Sequence, residues 1–147
     1  MAAALAEFDG DADLDLVIAD YISGKVSLLR GDGAGNFGAA AEVSRGLIQP
    51  RAMVAARLNA DALPDLVIAT ESGNEAIAYL NGGGTFRRAG AGKVGGSPFD
   101  LAAGDVNGDG HIDIAAVNAQ DDTVTVLIGD GNGGLSVKPP VAVGVRP

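Results

Sequence analysis

The stretch Asp105-Val106-Asn107-Gly108-Asp109-Gly110-His111-Ile112-Asp113 runs directly into the apolar segment Ile114-Ala115-Ala116-Val117, and this pairing decides how the chain is organised. The same unit, an acidic loop followed by an apolar run, occurs twice earlier. Asp15-Leu16-Val17-Ile18-Ala19 recurs as Asp65-Leu66-Val67-Ile68-Ala69 and again as Asp113-Ile114-Ala115-Ala116-Val117. Asp15 to Asp65 is a step of 50 residues, and Asp65 to Asp113 is a step of 48. Other landmarks keep the same phase. Pro50, Pro98 and Pro147 are 48 and 49 residues apart, Arg30-Gly31-Asp32-Gly33 matches Ile128-Gly129-Asp130-Gly131, and Val94-Gly95-Gly96-Ser97-Pro98 matches Val143-Gly144-Val145-Arg146-Pro147. A fixed period of this size is the mark of a repeat architecture. The chain of 147 residues therefore divides into units 1–50, 51–98 and 99–147, a single module with nothing left over as a linker.

Each unit predicts four strands. The first, at 2–7, 52–57 or 100–105, precedes the acidic loop. The second, at 16–19, 66–69 or 114–117, is a continuous apolar run of the kind found in a strand covered on both faces. The third alternates, as in Val124-Thr125-Val126-Leu127-Ile128, and ends in a glycine-rich turn where positive φ is easy. The fourth starts near Phe37, Phe86 or Leu135 and stops before the proline. Four strands in about 40–50 residues is the arithmetic of a β-propeller blade. The first strands carry small residues at matching places (Ala4, Val54 and Ala102; Ala6, Ala56 and Gly104), as innermost strands crowded round a channel require. The predicted fold is all-β, with three four-stranded antiparallel blades.

The net charge of −9 is concentrated. Ten of the 19 acidic residues fall in the windows Glu7–Asp15, Arg57–Asp65 and Asp105–Asp113. Carboxylates this close repel unless a cation lies among them. In the third window, residues 105, 107 and 109 alternate and can turn their oxygens round one ion. Gly110 permits a sharp turn, the carbonyl of His111 can face inward, and Asp113 closes the set from the next strand. An all-oxygen donor set without imidazole or thiolate favours calcium. An EF-hand would need an acidic ligand at the twelfth position, but Ile18, Ile68 and Ala116 stand there, and strands flank the loop.

The combination of D-x-N-x-D-G-x-x-D, an apolar strand, T-V-x-V-L, G-D-G-x-G, Phe37-Gly38 and a later G-x-x-P resembles the FG-GAP/VCBS repeat family, and it does so across all three units. Units two and three depart from the Phe-Gly with Phe86-Arg87 and Leu135-Ser136. The resemblance implies propeller blades, as in integrin α-subunit heads and many secreted bacterial proteins, and an extracellular setting. It carries calcium ligation over to Asp105, Asn107, Asp109, the His111 carbonyl and Asp113.

The first loop offers Glu7, Asp9, Asp11, Asp13 and Asp15 as ligands, with Glu7 a methylene longer than Asp and Ala12 in place of the turn glycine. The second loop has Arg57 at the first ligand position, so its guanidinium is expected to reach Asp61 or Asp65 and replace the ion. Calcium is expected at two loops of three.

Other functions find little support. A phosphate backbone needs a clustered basic face, and the ten Lys and Arg are scattered, which excludes a nucleic-acid partner. With no cysteine there is no disulfide, zinc thiolate site or thiol nucleophile. No apolar run approaches the ~20 residues of a membrane span, and the N-terminus lacks the pattern of a signal peptide. Gly129–Gly134 satisfies G-x-G-x-x-G, yet it lies between two strands and reads as a hairpin turn. His111, the lone histidine, lies inside a candidate metal loop, so no catalytic triad is legible. Phe8, Phe37, Phe86 and Phe99 are expected in the core. The sequence therefore reads as a non-catalytic calcium-binding module for structural assembly or adhesion. A glycan-binding propeller and the scaffold of a larger secreted enzyme are the alternatives. Three blades do not close a ring, and two copies supply six, so a homodimer is expected as partner, with a further protein or glycan ligand left open.

Overall fold

The computed structural model describes residues 1–144, so the third proline landmark and the Val145-Arg146 before it lie outside the described residues. Regular structure in the described residues consists of strands. Blade 1 contains β1 (Ala2–Ala6), β2 (Asp15–Ala19), β3 (Val26–Leu29) and β4 (Ala41–Ser44). Blade 2 contains β5 (Pro50–Ala56), β6 (Asp65–Thr70), β7 (Glu75–Asn81) and β8 (Phe86–Lys93). Blade 3 contains β9 (Pro98–Gly104), β10 (Asp113–Asn118), β11 (Thr123–Gly129), β12 (Leu135–Val137) and β13 (Val141–Ala142). Each blade is an antiparallel meander in chain order, with β13 added back onto β11.

The first strands differ from the expected bounds because Pro50 and Pro98 begin β5 and β9 instead of standing outside them. A proline is tolerated as the first residue of a strand, where no ladder amide is needed. The fourth strands differ too. In blade 1, Phe37 makes only an isolated bridge to Gly31, and β4 starts at Ala41. In blade 3, Pro139 and Pro140 separate β12 from β13, since neither has an N–H to donate to the ladder.

The core lies between blades. Val17, Ala19, Val26 and Leu28 on one face of blade 1 meet Leu66, Ile68, Ile77 and Tyr79 on the near face of blade 2. Val67, Ala69, Ala76 and Ala78 on the far face of blade 2 meet Ile114, Ala116 and Leu127 of blade 3. The period-two alternation of strand side chains thus feeds two separate clusters from β6 and β7. Every residue of β6 is buried, while β2, and β10 from Ile114 onward, alternate between buried and half-buried. The apolar runs read as doubly covered strands are fully so only in the middle blade.

The aromatic residues are divided. Phe8 is buried and packs edge-on against Phe86, with ring centroids 5.6 Å apart. Phe37 and Phe99 are not core residues as expected, but exposed. Phe99 stands at the start of a first strand with the Arg51 guanidinium 4.6 Å from its ring centroid.

Candidate metal centre

Each acidic loop connects the first strand of a blade to the second, and one aspartate anchors it. Asp15, Asp65 and Asp113 are buried at the start of the second strands. Asp15 accepts the Phe8 amide at 2.9 Å and the Gly31 amide at 2.9 Å. Asp65 accepts those of Leu58 at 2.8 Å and Asn81 at 2.9 Å. Asp113 accepts those of Val106 at 3.0 Å and Gly129 at 2.9 Å. One carboxylate therefore ties the acidic loop to the end of the third strand in every blade, whatever else the loop contains. Burial raises the Asp65 carboxyl above its ordinary value, although two amide bonds pull the other way.

The backbones of the three loops then diverge. Gly10 and Ala12 have φ of 94° and 75°, and their counterparts Gly108 and Gly110 have 80° and 84°. Ala60 and Ala62 of the second loop take neither left-handed conformation. Loops 1 and 3 thus share a tight path with two left-handed turns, even though Ala12 lacks the glycine that makes such a conformation easy.

In loop 1, Glu7, Asp9 and Asp15 each bring a carboxylate oxygen within 4.8 Å of the others, the one such acidic cluster among the described residues. Glu7 accepts the amides of Asp9, at 3.1 Å, and Gly10. Asp9 Oδ2 is paired with Arg30 Nε at 2.5 Å, and Asp9 Oδ1 is buried with no hydrogen-bond partner. A buried carboxylate oxygen without a donor is costly unless something positive completes it. This donor set, all oxygen, with one oxygen buried and unsatisfied, fits a hard cation. Asp11 and Asp13 do not join that cluster. Asp11 Oδ1 accepts the Asp13 amide at 2.9 Å, and the Asp13 carboxylate lies over Gly33, where a β-carbon would come within 2.4 Å of it.

In loop 3, Asp105 accepts the amides of Gly108 at 2.7 Å and Gly110 at 2.9 Å, and those bonds hold its carboxyl below the ordinary range. Asp109 accepts the His111 amide at 2.8 Å and an Asn107 side-chain N–H at 2.8 Å. Asp105, Asn107, Asp109 and His111 are exposed, and Asp113 alone of the five is buried. The His111 imidazole lies over Gly131.

The expectation for loop 2 needs correction. Arg57 is exposed and, among the described residues, makes no ion pair with Asp61 or Asp65. Both Asp65 oxygens are already taken by amides, while Asp61 accepts the Leu63 amide at 3.0 Å and an Asn59 N–H at 2.7 Å. Arg57 instead lines a cleft with Asn59, Gly110 and His111. The basic residue that reaches a loop carboxylate is Arg30, which sequence reasoning missed. Its one signal is a charge at the end of the third strand, where the other blades carry Leu80 and Ile128.

The strands and loops together define a repeat protein of propeller-like blades, each with an acidic loop after its first strand. The family model described as "FG-GAP-like repeat" matches residues 8–68 and 57–116, and the chain belongs to this family. Each match runs from one acidic loop to the second strand of the next blade. No curated protein matches the chain. No helix among the described residues is long and apolar enough to cross a membrane.

Proposed function

We propose that this chain is a calcium-binding, non-catalytic repeat module serving structural assembly or protein interaction outside the cell. One observation carries the reading: Glu7, Asp9 and Asp15 converge within 4.8 Å, and Asp9 Oδ1 is buried without a donor. Oxygen donors alone, with no thiolate and no imidazole in the cluster, match the preference of calcium. Glu7, Asp9 and Asp15 hold the first ion. Asp105, Asn107, Asp109, the His111 carbonyl and Asp113 hold the second. The left-handed path shared by loops 1 and 3 supports sites in both, and its absence from loop 2 supports none there. Bound calcium supplies charge compensation, and the protein's part is to fix the loop between two strands. Repeats of this family are generally structural and typically extracellular, which supports the non-catalytic role and the setting.

Thermal melting of chelator-stripped protein tests this. An ion bound only by the folded state adds about 4 kcal/mol at a thousandfold excess over its dissociation constant. The midpoint should rise by several degrees with calcium and return with chelator. An unchanged melt rules out the structural ion.

A second reading, a glycan-binding module, is favoured by one feature. Tyr21, Arg51 and Phe99 line a single cleft of about 630 Å³, with Asp20 at its edge. Glu71 holds the cleft in shape by accepting the Tyr21 hydroxyl at 2.9 Å and the Arg51 guanidinium at 3.2 Å. An aromatic face beside fixed donors suits a sugar ring. Binding on a glycan array that is lost in Phe99→Ala is the result this reading requires.

A further inference from the structure

The blades are joined by two seams of one design, and each outer blade carries half of a third. In the first seam, Phe8 is 0% exposed beneath Phe86 of the following blade, and its carbonyl accepts the Asn81 side-chain N–H at 2.8 Å. In the second, Leu58 is 4% exposed in the cluster that Leu135 packs against, and its carbonyl accepts the Gly133 amide at 3.1 Å. Val106 holds the position of Phe8 and Leu58 in blade 3, and it is 62% exposed. Phe37 holds the position of Phe86 and Leu135 in blade 1, and it is 43% exposed.

The turns repeat the correspondence. Asp32 accepts the amides of Ala34 at 2.9 Å and Asn36 at 3.0 Å, just as Asp130 accepts those of Asn132 at 2.8 Å and Gly134 at 2.9 Å. Gly35 and Gly133 have φ of 90° and 86°. The Gly133 turn is packed, since a β-carbon there would lie 2.9 Å from Ala89 and 3.0 Å from Leu80. A β-carbon on Gly35 would meet nothing within 4 Å. Blade 1 therefore presents, already formed and uncovered, the turn that blade 3 uses to cap the loop before it.

We propose that the open face of blade 3 takes the open face of blade 1 of a second copy of this chain, with Val106 packed against the partner's Phe37. The occupant is a second copy because the loop left open on blade 3 at Val106 stands where this chain's own blades cover Phe8 and Leu58. Its cover corresponds to the open face of blade 1. The new seam continues an interface the molecule already builds twice. Two chains joined at both ends form a two-fold ring of six blades through two identical seams, within the four to eight of closed propellers. The same seam places the partner's Gly31–Gly35 turn over the third acidic loop, as the Asn81–Gly84 turn lies over Asp9 in the first. This inference rests on the propeller reading above and not on the metal.

Light scattering on the full chain at tens of micromolar should give twice 14.5 kDa. Val106→Asp and Phe37→Asp should each yield monomers with an unchanged far-ultraviolet spectrum, since both side chains are exposed within one chain. The protein has no cysteine, so single-cysteine variants give a clean proximity test. V106C mixed with F37C should cross-link on oxidation, and each alone should not. A wild-type monomer, a mass that climbs in a ladder with concentration, or cross-linking no greater in the mixture than in either variant alone would overturn the ring. Loop 1 is covered within the chain, so the monomeric Val106→Asp variant should still bind calcium there. A monomeric wild type that binds calcium defeats this inference alone, and a dimer that binds none defeats the metal reading alone.

Discussion

Loops 2 and 3 follow equivalent strands, begin one residue before equivalent apolar positions and end on equivalent buried aspartates, yet they take different paths between. Asp65 and Asp113 make the same pair of amide bonds. Between the anchors, Gly108 and Gly110 adopt left-handed conformations that Ala60 and Ala62 do not. The lesson is that the last aspartate of the loop serves the blade in every repeat, while the residues before it decide which path the loop takes. An acidic residue can recur in every repeat because a strand end needs an acceptor, with no metal involved.

Removing each kind of aspartate should separate the two roles, and the largest effect is expected at the anchor. Asp65→Ala leaves the buried amides of Leu58 and Asn81 without an acceptor, at about 1–3 kcal/mol each. Urea unfolding should show a loss of that combined size with calcium present or absent. A loss below 1 kcal/mol, or one that calcium restores, breaks the assignment of Asp65 to the scaffold.

The next effect belongs to the metal. Asp109→Ala should abolish one of two calcium sites and remove part of the calcium-dependent rise in melting temperature, whereas Asp61→Ala, its counterpart in loop 2, should leave that rise intact. Equal responses to calcium in the two variants would erase the distinction between the loops.

The blade architecture was legible because repetition lets weak signals reinforce one another. The step from Asp15 to Asp65 to Asp113 gave phase, and the apolar runs gave second strands that appear where expected, at β2, β6 and β10. Details set by local chemistry were less so. Prolines at 50 and 98 looked like boundaries and proved to be strand starts, because a proline's missing amide costs nothing there. Loop 1 looked the poorer match for lacking the turn glycine, yet Ala12 is held in the same left-handed region as Gly110. Arg57 stands where a built-in cation would, but the Asp61 and Asp65 oxygens within its expected reach are occupied by backbone and side-chain amides. Arg30 gave only a faint signal because its partner, Asp9, is distant in sequence and the two meet only when β3 folds back beside β2.

A smaller effect sharpens the backbone half of the comparison. A left-handed conformation costs an L-residue about 1–2 kcal/mol, part of which glycine's extra unfolded-state entropy takes back. Ala12→Gly should therefore stabilise the protein by about 0.5–1 kcal/mol, and Ala62→Gly should destabilise it by a similar amount. Same-sign shifts in thermal melts of the two variants would contradict the difference in path.

The smallest expected effect is in titration. Asp65 is raised by burial and Asp105 lowered by the Gly110 and Gly108 amides, so in metal-free protein their carboxyl resonances should titrate on opposite sides of 3.8. The lowered Asp105 contributes stability above that value, which is lost as pH falls through its folded pKa. Raised Asp65 acts in reverse: the folded state keeps a proton that the unfolded chain has released, so stability from this group declines as pH climbs from 3.8 to its folded value. Both titrating on the same side would remove the electrostatic contrast.

Calorimetric titration of chelator-stripped protein with calcium counts the ions directly. Two calcium ions per chain are expected, one lost in Asp9→Ala, one in Asp109→Ala and none in Asp61→Ala. No binding, or three equivalent sites, would contradict that count.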